Sequence, residues 1–152
     1  MQELESVVAK KEDKIMVKVK VGSLTGMQLD YAVAVADGIL ADDTSCDDGN
    51  KVYYLPIEGN PRLIFGIQKT GLVKFVYSPS TLWNQAGEII ERELISVTPC
   101  HGLDGDYWEA VSPAINYEHG QIITGKTPME AAMRCFVLIK TGFDVEVPKQ
   151  SV

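Results

Sequence analysis

Thr127-Pro128-Met129-Glu130 fixes the start of a helix, and Gly142 fixes its end. A threonine hydroxyl in the cap position accepts an amide from the first turn, proline at the first helical position has φ already set, and the glutamate completes a capping box. Met129, Ala132, Met133, Phe136 and Ile139 then recur at helical spacing, so one face must be buried. Lys140 suits the negative end of the helix dipole, and Gly142 suits the turn that leaves it. Whatever fold the chain adopts, it has to cover this stripe.

The earlier segments supply candidate partners. In Lys14-Ile15-Met16-Val17-Lys18-Val19-Lys20-Val21, Ile15, Val17, Val19 and Val21 alternate with Met16, Lys18 and Lys20, the period of a half-buried strand with lysines guarding an edge. Thr25 and Gln28 form a second capping box, with Leu24 and Leu29 as its hydrophobic staple; Leu29, Ala32, Val33 and Ala36 continue the helix to Gly38. Ser78-Pro79-Ser80-Thr81 reads as the start of a third helix, with Trp83, Ala86, Ile90 and Leu94 as its stripe and Gly87 as a weak point. Thr98-Pro99-Cys100-His101-Gly102 reads as its end, and Asp144-Val145-Glu146-Val147-Pro148 as a brief extended tail. Val52 to Leu55, Leu63 to Ile67, Leu72 to Tyr77 and Tyr107 to Val111 read as strands, the first two within a hairpin-like excursion over 41–71 marked by Gly59, Pro61, Gly66 and Gly71. The expected fold is α/β, verging on α+β: three helices on a small mixed sheet in a layered sandwich. A flexible segment is expected over 1–13 and one domain over 14–148.

A net charge of −7 repels a phosphate backbone and argues against nucleic acid as the partner. No run of apolar residues is long enough for a membrane helix, and the acidic start Met1-Gln2-Glu3-Leu4-Glu5 has no apolar core of a signal peptide. Three cysteines at irregular spacing, Cys46, Cys100 and Cys135, are no disulfide framework and point to the cytoplasm.

Several motifs invite chemistry. Gly120 to Thr127 satisfies the pattern of a phosphate-binding loop. Three features argue against one: the preceding Asn116-Tyr117-Glu118-His119 is polar, only 25 residues follow Thr127, and Pro128 offers no amide where a phosphate would need it. The acidic run Asp42, Asp43, Asp47, Asp48 places Thr44 and Cys46 where a calcium loop needs carboxylates, so it reads as a solvated turn and as a candidate face for a basic partner. Cys100-His101 lacks a second ligand pair, and no nucleophile elbow is present. No metal and no cofactor are expected. The two hydroxyl-rich helix starts are the remaining ligand candidates, because helix N-termini attract anions. If they converge, Tyr77, Ser78, Ser80, Thr81, Trp83, Trp108, Lys126, Thr127 and Arg134 line a pocket. If they do not, the hydroxyls are caps, the aromatics are core, and Glu130 and Arg134 are a helix-surface pair.

Four blocks, in order, carry a resemblance. Leu24-Thr25-Gly26 with Leu29 to Ala34, Tyr77 to Thr81 with Trp83 and Ile89 to Glu93, Thr127-Pro128 with Ala131 to Val137, and Val145 to Pro148 together resemble the phage NinX-like family across most of residues 15–148. The family implies a phage or prophage accessory protein of the host cytoplasm with an α/β/α layout and no established reaction. The excursion over 41–71 is longer than the family pattern, and Lys126 departs from its G-x-T-P segment. With no catalytic constellation, the leading expectation is an interaction protein that acts on a host or phage factor. A small-molecule or anion binder, with or without catalysis, and a structural homo-oligomer are the alternatives.

Overall fold

A computed structural model of the protein describes residues 15–41, 51–55, 61–65, 76–114 and 122–149. Its elements run β1 (Met16–Lys20), a single 3-10 turn (Val21–Ser23), α1 (Gly26–Ala36), β2 (Val52–Leu55), β3 (Arg62–Phe65), α2 (Trp83–Glu93), β4 (Ser96–Gly102), β5 (Gly105–Val111), β6 (Ile123–Gly125), α3 (Pro128–Thr141) and β7 (Asp144–Pro148). The fold is mixed α/β, with three helices among the described residues. The segment 1–13 and the acidic run at 42–48 lie outside them.

Helix α3 organises the rest. Its capping box forms: Thr127 Oγ1 accepts the Glu130 amide at 3.1 Å, and Glu130 Oε1 accepts the Lys126 amide at 3.0 Å. Every residue from Ala131 to Val137 is buried, so the helix is covered on all sides and not only along its apolar stripe. It packs against α1, α2 and all three strands of the β4–β5–β6 sheet. The approach is tight at Gly125, where a Cβ would fall 2.5 Å from the Ala131 amide nitrogen. The glycine of the Gly125-Lys126-Thr127 motif is thus explained by helix packing. Gly125→Ala would have to displace the backbone of α3 and is expected to lose about 3 kcal/mol, read as a lower urea midpoint at unchanged slope.

From Val17 the first strand alternates as expected, with Lys18 and Lys20 exposed and Val17 and Val19 packed against the core; before it the pattern fails, since Ile15 is 64% exposed and Met16 packs against the core. Its partner is the C-terminal extended segment: β1 and β7 pair antiparallel, placing Lys18 opposite Glu146 and Lys20 opposite Asp144. The β2–β3 hairpin lies within the expected excursion, yet it joins the core. Val52 and Leu63 are at most 2% exposed, and Tyr54 meets Tyr31 of α1 edge to face at 5.8 Å.

Five other expectations need correction. The strands form three small antiparallel sheets among the described residues, not one mixed sheet, because the strands are short and the helices lie among them. Thr25 makes no side-chain cap bond, and Gln28 donates to the Pro148 carbonyl at 2.9 Å, tying α1 to β7. Helix α2 starts at Trp83 and not at Pro79; residues 78–81 form a separate turn, with the Leu82 amide on the Ser78 carbonyl at 2.8 Å. Its buried positions are Ala86 and Ile89, while Trp83 and Leu94 are 55% and 70% exposed. Thr98 to Gly102, read as the end of that helix, belongs to β4 and pairs with β5; Pro99 fits because β4 is an edge strand. No helix among the described residues is long and apolar enough to cross a membrane.

Candidate functional site

The run Leu29-Asp30-Tyr31-Ala32-Val33-Ala34 is buried throughout, so α1 carries a carboxylate into the core. An unpaired carboxylate there is costly, and Asp30 is paired by the 78–81 turn. Its Oδ1 accepts the Ser80 amide at 2.8 Å, and its Oδ2 accepts the Ser80 hydroxyl at 3.0 Å and the Ser78 hydroxyl at 3.2 Å. Ser78 Oγ also lies 2.6 Å from Thr81 Oγ1. Gln85 closes the turn from α2, accepting the Ser78 amide at 2.6 Å and donating to the Val76 carbonyl at 2.8 Å. Burial pushes the Asp30 carboxyl up to about 6, although the bonds from Ser80 and Ser78 pull the other way. Tyr77 is buried beside it, and burial together with Asp37 and Asp30 lifts its phenol above the ordinary value.

Arg134 anchors a second cluster at the start of α3. It is 8% exposed; its Nε donates to the Leu24 carbonyl at 2.8 Å and its Nη1 to the Thr124 carbonyl at 2.7 Å. Nη2 lies 3.2 Å from Glu130 Oε1. Burial draws the guanidinium below its ordinary pKa, and Glu130 offsets this. The side chain joins Leu24 in the segment leading into α1, the strand β6 and the cap of α3.

The nine ligand candidates therefore divide. Tyr77, Ser78, Ser80 and Thr81 gather around or beside Asp30. Lys126, Thr127 and Arg134 gather around Glu130. Trp108 is half-buried on β5, opposite Pro99 and Gly125, and Trp83 stands in solvent at the start of α2. A groove of about 410 Å³ lies elsewhere, between α1 and the β1–β7 pair, with Met16, Tyr31, Val35 and Glu146 in its wall. The four acidic candidates, Asp42, Asp43, Asp47 and Asp48, are outside the described residues. Asp30, Gln85 and Glu130 were missed as site residues. For Asp30 the signal was available, a lone charge within an apolar helical run.

His101 Nδ1 and Asp106 Oδ1 are 2.7 Å apart, but both side chains are at least 78% exposed at the β4–β5 tip. A dyad this open to water has no preorganised site around it. Among the described residues no three His, Cys, Asp or Glu side chains gather as a metal site.

The surface beside the Asp30 turn is apolar. Val76, Leu82 and Trp83 are 53%, 39% and 55% exposed, on the segment that Gln85 ties together. Among curated proteins no relative matches the chain. A family model described as "Bacteriophage P22, NinX" matches residues 20–140, a span that includes both clusters and all three helices but for the last residue of α3. The chain belongs to this phage NinX family.

Proposed function

We propose that this phage protein is a non-catalytic interaction protein of the bacterial cytoplasm, and that it binds a host or phage protein through the face at the start of α2. The carrying observation is the exposed trio Val76, Leu82 and Trp83, held out by a turn that is itself fastened to a buried carboxylate. Exposed aromatic and aliphatic anchors on a rigid support are what a protein interface uses.

The anion-binding reading has less support. A helix-start site needs free amides, yet at the start of α3 Pro128 has none and the Glu130 amide is taken by Thr127, while in the turn before α2 the Ser80 amide is taken by Asp30; Glu130 also takes the Lys126 amide. Asp30 and Glu130 are carboxylates, which repel an incoming anion.

Affinity capture from host lysate, with and without phage infection, tests the proposal. The wild type is expected to retain a stoichiometric partner that Leu82→Ser/Trp83→Ala loses, at about tenfold or greater reduction. Equal capture by both forms would overturn the proposal that the face at the start of α2 is the interface. Both substitutions fall on exposed residues, so the variant's thermal unfolding should stay within a few degrees of the wild type.

A further inference from the structure

Three residues on α2 are ones that the fold itself does not ask for. Gly87 sits mid-helix, where glycine is disfavoured, yet a Cβ there would meet no atom within 4 Å. Leu94, the C-cap, has φ 55° and ψ 43°, a conformation that suits glycine or asparagine, and it is 70% exposed. Trp83 is 55% exposed at the other end. Sequence choices that serve the fold poorly tend to mark function.

Their spacing is regular. Positions 83 and 87 fall on one side of a 3.6-residue helix, bordered by Ile90, which packs against the core, and Leu94 closes the far end. The result is a saddle: two bulky apolar ends about 16 Å apart with a bare glycine backbone between them. A helix about 10 Å across fits such a gap and could approach closely over Gly87. Glu88 and Glu91, both exposed, lie along its solvent flank, and among the described residues no cation pairs with either. Arg92, the neighbouring cation, is already engaged by Asp37 at 2.7 Å and by Glu93 at 3.1 Å.

We infer that the Trp83–Gly87–Leu94 saddle seats an amphipathic helix of a partner protein, with apolar residues on its seam and Lys or Arg on the flank facing Glu88 and Glu91. The inference rests on the interaction reading above and gives the partner its chemistry. Charge complementarity selects this occupant over a second copy of the chain. An antiparallel two-fold pairing of α2 would bring like flanks together, Glu88 and Glu91 against their copies, in a protein of net charge −7.

The probe is a labelled helical peptide of about 18 residues, leucine on one face and lysine on the flanks, with a leucine/glutamate peptide as control. Fluorescence anisotropy against the full chain is expected to show binding of the lysine peptide and none of the control. Gly87→Leu fills the saddle with a good helix former, and Glu88→Lys/Glu91→Lys reverses the flank. Each should weaken binding by about tenfold or more while the protein stays folded. Binding that is equal in all forms would be unspecific attraction to an acidic protein and would overturn the inference. So would no binding, or a dimer by light scattering that Gly87→Leu disperses. Lysate capture separates this inference from the broader one. Capture lost in Leu82→Ser/Trp83→Ala but kept in the Gly87 and glutamate variants leaves an interaction protein with a different partner chemistry. Capture kept in all of them overturns both.

Discussion

Acidifying the protein from pH 7 towards pH 4 is expected to strengthen the fold at Asp30, and Asp30→Asn should abolish that gain. The unfolded carboxyl releases its proton near 3.8, whereas the folded one holds it up to about 6. Between those values the folded state binds more protons, so stability falls as pH rises through the window and returns on acidification. The gap corresponds to about 3 kcal/mol at most, since one pKa unit is worth about 1.4 kcal/mol. Glu93 opposes this only at lower pH: burial acts against it, but bonds from Arg92 and Lys140 hold its carboxyl below 4.5, so its contribution fades as pH drops further. The asparagine variant should be nearly neutral in stability at pH 7. Its Oδ1 can still accept the Ser80 amide, and its NH₂ can donate to the Ser80 and Ser78 oxygens once those hydroxyls rotate. Asp30→Ala removes the acceptor and strands a buried amide, at about 2–3 kcal/mol at pH 7. Urea unfolding of the three forms at pH 4.5, 5.5 and 7 checks this. A wild type and Asp30→Asn with parallel pH profiles would show that Asp30 ionises normally in the fold.

The same buried carboxylate explains why one helix start was legible in the sequence and the other was not. Lys126, Thr127 and Glu130 satisfy one another's polar groups within one short segment, with Pro128 at the first helical position, so local pattern was enough. Ser78-Pro79-Ser80-Thr81 has the same local look, but its amide and hydroxyls turn to an acceptor about 50 residues away in sequence, and the helix is delayed to Trp83. Gln28 offers a parallel case: its capping partner was local on paper, and the carbonyl it meets is 120 residues distant. The β1 alternation was readable because its two faces differ, lysines outward and valines inward. What the strand pairs with was not, since nothing in Asp144 to Pro148 names β1 as its partner. Proline concealed β4, where an edge position lets Pro99 stand in a strand. The α2 stripe failed at Trp83 and Leu94, two large apolar residues that the fold leaves in solvent. Hydrophobic spacing reports which residues dislike water, and here it reported a surface as though it were core. The site was legible as a set of residue types around the helix starts. Its division into two clusters, and the carboxylates that centre them, depend on contacts between distant segments.

Arg134 is the clearest case of a pair read correctly and placed wrongly. Its spacing from Glu130 identifies an i,i+4 partner, and the 3.2 Å contact exists, but the pair sits in the interior and not on a solvated helix face. An exposed pair of this kind contributes about 0.3–0.5 kcal/mol. Here the guanidinium also satisfies the Leu24 and Thr124 carbonyls, so removing it strands two acceptors and a carboxylate together. Arg134→Ala is therefore expected to lose about 3–5 kcal/mol, a large share of the stability of a domain this size. Arg134→Met keeps much of the packed stem and should remain well below wild type, which separates the polar loss from the loss of volume. Arg134→Lys should fall between them, because one ammonium cannot reproduce a planar fork aimed at three acceptors. Urea midpoints for the series, with Glu130→Ala added to close a double-mutant cycle, apportion the effect. A coupling above about 1 kcal/mol would establish Arg134 as the brace that ties the start of α3 to the entry of α1 and to β6. An Arg134→Met protein as stable as the wild type would free the side chain from that structural role and return it to the ligand-binding candidates.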